Sequence, residues 1–178
     1  MKLYVNALAY QAVWFSAILW GNLGAVAGCL ILLILLTTSE HKREDLKMIG
    51  FLMFLGLLVD GTLQQVGFFT FRNPGWPIPF WLLIIWLGLA MTIHHSLSWF
   101  KDKLLLAALF GGLGGPAAYW AGTRMGAASF NWSLEISLLV LAIIWSLIFP
   151  TIMLFSALLL KACNKKRLTT SANISREL

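Results

Sequence analysis

The chain has 178 residues, 60% of them hydrophobic and 11% charged, with a formal net charge of +6. Soluble domains carry about 25% charged residues, so this composition excludes an ordinary water-soluble fold and implies an integral membrane protein. The lysines and arginines form short clusters between apolar runs. That pattern marks topology signals and anionic-lipid contacts, and excludes a nucleic-acid-binding face.

From Leu3 to Thr38 there is no charge. As one helix this run would be roughly 54 Å long at about 1.5 Å per residue, too long for a hydrocarbon core of about 30 Å. Gly21-Asn22 is a natural turn at its centre, so two short spans are expected, Leu3–Trp20 and Leu23–Thr37, with one tilted helix as the alternative. Val26-Ala27-Gly28-Cys29 resembles a lipoprotein cleavage site, but the apolar run that follows Cys29 argues against processing there. Cys29 and Cys163 form no spaced pair and imply neither a disulfide framework nor a metal knuckle.

Ser39–Lys47 is expected as a charged loop and Met48–Thr70 as the third span. The Pro/Trp-rich stretch from Phe71 to Phe80 disfavours helix at each residue before a proline. Phe80–Phe100 is the fourth span, Lys101-Asp102-Lys103 a tight turn, and Leu104–Thr123 the fifth span. Here Gly111, Gly115, Gly122 and Gly126 fall along one stripe that admits a close neighbour, and Pro116 is expected to kink or break the helix. A polar loop from Arg124 to Ser133 leads to the last span, Leu134–Leu160, with a kink expected at Pro150. The expected architecture is therefore an all-α six-span bundle over residues 1–160 and a basic, mobile cytoplasmic tail over 161–178. No internal repeat is visible.

With six spans and both termini inside, eleven of the 13 basic residues lie on the cytoplasmic side: Lys2, Lys42, Arg43, Lys47, Lys101, Lys103, Lys161, Lys165, Lys166, Arg167 and Arg176. Only Arg72 and Arg124 fall outside. The positive-inside rule thus orients the bundle with both termini cytoplasmic.

An ionisable group in hydrocarbon costs about 2.5–3.5 kcal/mol on insertion scales and should face the bundle interior. Asp60 stands near mid-membrane, on one helix face with Gly56, Gln64 and Gly67. It reads either as a proton-handling or substrate-binding carboxylate or as a buried acid tied to a partner helix. His94 and His95 lie near the cytoplasmic end of the fourth span. On a helix they would point about 100° apart, which disfavours a shared metal ion. His95 reads as an acid–base or headgroup-recognition group, or as an interfacial histidine. Asp60, Gln64, Thr92, His94, His95, Ser96 and Tyr119 are expected to line one polar pocket open to the cytoplasmic leaflet. Asn6, Gln11 and Trp14 can hold helices together by side-chain hydrogen bonds. No motif selects a metal, a cofactor or a nucleophile.

The order Asn6…Gln11…Trp14, Leu57-Leu58-Val59-Asp60, Pro79-Phe80-Trp81, His94-His95-Ser96-Leu97-Ser98-Trp99 and Gly114-Gly115-Pro116-Ala117-Ala118-Tyr119-Trp120-Ala121-Gly122 resembles a family of small bacterial inner-membrane proteins of unknown function. That resemblance implies a polytopic membrane protein encoded near lipid-modifying enzymes of the cyclopropane-fatty-acid type. It assigns no catalytic residue. The expected function is lipid handling, as enzyme or accessory, with membrane lipids as partners. The alternatives are a small proton-coupled transporter using Asp60, and a scaffold for a soluble lipid-modifying enzyme at the cytoplasmic face.

Overall fold

The computed structural model describes residues 3–177, with side chains described as far as Ala162. Lys2 and the side chains of the basic tail, on which part of the charge bias rests, lie outside the described residues. Six helices follow in order: α1 (Leu3–Trp20), α2 (Asn22–Thr38), α3 (Lys42–Gln65), α4 (Phe80–Ile93), α5 (Leu104–Arg124) and α6 (Leu134–Glu177). Two short strands, β1 (Phe69–Phe71) and β2 (Ala128–Phe130), interrupt the series. Among the described residues four helices are long and apolar enough to cross a membrane: α1, α3, α5 and the Leu134–Ala162 part of α6. The apolar helices α2 and α4 are shorter, at 17 and 14 residues.

The turn expected at Gly21 is present, with φ 57°, a left-handed conformation that glycine adopts without steric cost. It folds α2 back along α1. The Ser16 hydroxyl donates to the Gly24 carbonyl at 3.2 Å, and a Cβ on Gly24 would lie 1.8 Å from the Ser16 carbonyl oxygen. The hairpin therefore closes on bare backbone, the contact that small residues permit between helices in lipid.

The last helix runs to Glu177 rather than ending at Leu160, and three other boundaries differ from the sequence reading. First, α3 begins at Lys42, so the last two thirds of the charged stretch is helix rather than loop. Glu44 and Asp45 fall in its first turn, where the helix dipole favours negative charge. Second, α3 ends at Gln65. Gly67 takes φ 68° and the Phe68 N–H donates to the Leu63 carbonyl at 2.9 Å, which satisfies a terminal carbonyl as a Schellman cap does. The end of α5 is built the same way: Gly126 has φ 75° and the Ala127 N–H reaches the Gly122 carbonyl at 3.0 Å. Each cap throws the chain into a strand. β1 and β2 then pair antiparallel with Thr70 opposite Ser129. Strands of three residues are too short to show an alternating pattern.

Third, α4 stops at Ile93, not Phe100. The buried Asn6 side chain of α1 takes over the end of the ladder. Its Nδ2 donates to the Met91 carbonyl at 2.9 Å. Its Oδ1 accepts from the Ser96 N–H at 3.2 Å and the Ser96 hydroxyl at 2.7 Å. The chain leaves through a 3₁₀ turn, Ser98–Phe100.

α5 continues through Pro116 and α6 through Pro150 without a break. One missing N–H leaves the rest of the ladder intact, and surrounding helices tolerate it. A Cβ on Gly111 would lie 2.4 Å from the Trp145 carbonyl oxygen, and one on Gly115 would lie 2.3 Å from the Trp145 ring, so these two glycines face α6. Gly122 faces Ile18 of α1 at 3.4 Å, and Gly126 lies beyond the helix as its cap. The glycine stripe thus serves more than one neighbour. α1 packs on α2 and α4, α3 on α4, and α5 on α6.

Candidate functional site

A cavity of about 490 Å³ opens between α4 and α5, with α1 along one side. Tyr10 and Trp14 come from α1, Trp81 and Trp86 from α4, and Trp145 from α6. Phe69, Phe71 and Phe130 of the β-ribbon line one end, Thr92 and Ser96 the other. The α5 wall is lined partly by Gly111, Gly114 and Gly115. Trp145 packs over Gly111 and Gly115, whereas the space beside Gly114 stays open. The surface is mostly apolar and aromatic, with a few polar groups, the usual composition of a small-molecule site.

Behind one wall lies Asp60, fully buried. The Trp86 Nε1–H donates to its Oδ2 at 2.8 Å, and the Tyr119 hydroxyl donates to its Oδ1 at 2.5 Å. Both donors line the cavity, whereas Asp60 does not. The carboxylate therefore fixes the ring orientations of two wall residues. Trp86 also stacks on Trp145, with ring centroids 5.3 Å apart and planes at 16°. Hydrogen bonds in a low-dielectric interior are electrostatically stronger than in water, so these contacts hold the two rings in place.

A second polar cluster gathers at the other end of α3. Asp45 is fully buried. Its Oδ1 meets His94 Nδ1 at 2.9 Å, and its Oδ2 meets His95 Nε2 at 3.1 Å. The Ser39 hydroxyl donates to Oδ2 at 2.5 Å and in turn accepts the His41 N–H at 2.9 Å. The His41 ring stands 6.2 Å from each of the other two, so all 3 histidines of the chain meet here. The two adjacent rings can share one carboxylate because α4 has ended before them. The 100° rule of the helix no longer applies. Lys101 is close by: burial lowers its pKa, and the Asp45 and Asp102 carboxylates oppose that shift. Among the described residues no group of three or more His, Cys, Asp or Glu side chains could hold a metal ion.

The residues expected in one polar pocket are thus divided. Thr92, Ser96 and Tyr119 line the cavity. Asp60 sits behind it. His94 and His95 belong with Asp45, and Gln64 turns away, its Nε2 donating to the Gly75 carbonyl at 3.2 Å. Neither Asp60 nor His95 lines this cavity, and each is bonded to its own partners. Asp45 was not anticipated, although a signal existed. The buried positions of α3 step back from Asp60 through Gly56, Leu52 and Met48 to Asp45, a helical stripe that carries a carboxylate into the core. The tryptophans of the wall had no such signal, because in a membrane protein their number suggests interfacial belts.

An all-α bundle with four helices able to cross a bilayer, and a buried Asp60 held by side chains of two other helices, belongs to the class of helical membrane proteins. Within that class the chain belongs to the family described as "Protein of unknown function (DUF2878)", whose model matches residues 3–151. No curated protein and no solved structure matches it.

Proposed function

We propose that the protein is a lipid-handling protein of the bacterial inner membrane, whose cavity between α4 and α5 takes an apolar chain. The observation that carries this reading is the cavity itself: about 490 Å³, lined largely by aromatic and aliphatic side chains, in a helical bundle built for lipid. Pockets of about 300–1,000 Å³ suit small ligands. At the end away from the β-ribbon, Thr92 and Ser96 place hydroxyl oxygens that can accept from a polar end, their protons being given to Leu89 and Asn6. A carrier that moves a proton on Asp60 is less well supported, since both oxygens of that carboxylate are engaged within the wall.

Gly114 allows a direct test. It lines the cavity, and a Cβ there would have only Phe110 within contact range, at 3.9 Å. Gly114→Phe should therefore fold normally and fill the space. A brominated fatty acid added to the protein in detergent should quench the wall tryptophans saturably in the wild type, with at least about tenfold weaker binding in Gly114→Phe. Equal saturable quenching in both proteins would remove the cavity as the site.

In the proposed topology α1 to α6 make six spans with both termini cytoplasmic. The β-ribbon and Gly21 then lie on the outer side, and the Asp45 cluster on the cytoplasmic side. The charge distribution supports this, as does Arg72, whose guanidinium donates to the Leu19 carbonyl at the end of α1 at 3.3 Å. A cysteine at Asn22 should react with an impermeant maleimide from the outside of intact cells. Labelling from the cytoplasmic side instead would invert the model.

A further inference from the structure

The hairpins α3–β1–α4 and α5–β2–α6 carry matching residues at a constant spacing of 59 positions. Leu82-Leu83-Ile84-Ile85-Trp86 is matched by Leu141-Ala142-Ile143-Ile144-Trp145, and Thr92-Ile93 by Thr151-Ile152. Gly56, Gly67 and Phe71 are matched by Gly115, Gly126 and Phe130. The matched residues also do the same work. A Cβ on Gly56 would lie 2.6 Å from the Trp86 ring, and one on Gly115 would lie 2.3 Å from the Trp145 ring. Gly67 and Gly126 both cap their helices with positive φ.

Two copies of a unit that touch through equivalent residues do so on a two-fold axis. Three contacts here join a residue to its own equivalent: Thr70 pairs with Ser129 in the ribbon, Tyr119 bonds Asp60, and Trp86 stacks on Trp145. From the ribbon to the Asp60 level is about 10 residues of chain, and Gly56, which seats Trp86, is about one further turn along α3. The contacts therefore succeed one another along the helices, and the axis runs parallel to the spans.

The symmetry is broken at two places. The position of Asp60 is held by Tyr119 in the second copy. The Trp86 N–H accordingly has its carboxylate, whereas Trp145 Nε1, whose counterpart is the Tyr119 phenol, makes no bond of normal length among the described residues. The seam between α3 and α6 is shut by Phe51 stacked on Phe155, with centroids 4.0 Å apart. The equivalent pair across α5 and α4 is Phe110 and Ser96, and both line the cavity.

We propose that residues 42–93 and 101–152 are two copies of one helix–strand–helix unit about a two-fold axis along the membrane normal, and that the cavity is one of the two seams this axis creates, open while the other is shut. Membrane proteins built from parallel repeats place their sites at the repeat interface. Closing the α4–α5 seam as tightly as its counterpart would abolish the cavity, so that seam is the gate of the site. This last step rests on the chain-binding reading; the repeat does not.

Exchange of the on-axis residues tests the repeat without any ligand. Asp60→Tyr alone removes the carboxylate, and Tyr119→Asp alone places two carboxylates together. Each should lower the melting temperature in detergent by roughly 10 °C. The double exchange restores one carboxylate and one phenol, with the carboxylate now facing Trp145 Nε1, and should recover at least half of that loss. A double variant no more stable than the worse single one overturns the repeat. The seams are tested in a background carrying Cys29→Ala and Cys163→Ala. A short bis-maleimide should bridge cysteines replacing Phe51 and Phe155, and fail to bridge those replacing Ser96 and Phe110. Equal bridging of both pairs overturns the open-and-shut assignment, whatever the cavity binds.

Discussion

Gly115→Leu is expected to lose the folded bundle or to lower its melting temperature by at least about 10 °C, corresponding to about 3 kcal/mol for a chain of this size. The reason is geometric. Even the first added carbon would lie 2.3 Å from the Trp145 ring, and that ring is held on its other side by Trp86. Neither indole can yield without disturbing the Trp86 bond to Asp60. α5 would have to move off α6 and lose the contact made by Gly111 as well. Gly114, one residue earlier, faces open space, so Gly114→Leu should leave the melting temperature within a few degrees of the wild type. Thermal unfolding of both variants by light scattering or intrinsic fluorescence would show the contrast. Similar losses in the two would mean that helix flexibility, not close approach, decides the role of this segment.

Asp45→Ala is the second substitution expected to have a large effect. It removes the common acceptor of Ser39, His94 and His95, all of which the fold has drawn into the interior. Cutting one partner out of a buried charged network costs about 3–5 kcal/mol, because the remaining groups stay desolvated and unpaired. The expected result is a melting temperature lower by roughly 10 °C or more, with the α2–α3 turn and the end of α4 the first places to exchange backbone amides. Asp45→Asn retains an acceptor oxygen and should recover part of the loss. An unchanged Asp45→Ala protein would mean that the cluster is wet and contributes nothing to packing.

The six helices were readable because charge and length in a bilayer leave few alternatives. The division at Gly21, the beginning of α5 and the beginning of α6 all followed from that constraint. Helix ends were less legible. Whether α4 stops at Ile93 or runs to Phe100 depends on Asn6, a residue 85 positions away from the carbonyl it holds. The same long-range contact explains why His94 and His95 come together on Asp45. The glycines of α5 announced a close approach, but the sequence named neither Trp145 nor Ile18 as the neighbour. Tyr119 and Asp60 were each visible as polar groups in apolar surroundings, and their bond to each other was not. The shared Leu-x-Ile-Ile-Trp and Thr-Ile segments did not stand out as a repeat. They were hidden by the divergence around them, since most lipid-facing positions accept any apolar side chain.

The claim on which the account turns is that an apolar chain occupies the space between α4 and α5. Native mass spectrometry of the protein released gently from its own membrane would measure it most directly. The wild type should carry one retained lipid or fatty-acyl mass that survives mild activation, and Gly114→Phe should fly as the bare chain. An identical adduct on both proteins, or none on either, would contradict it.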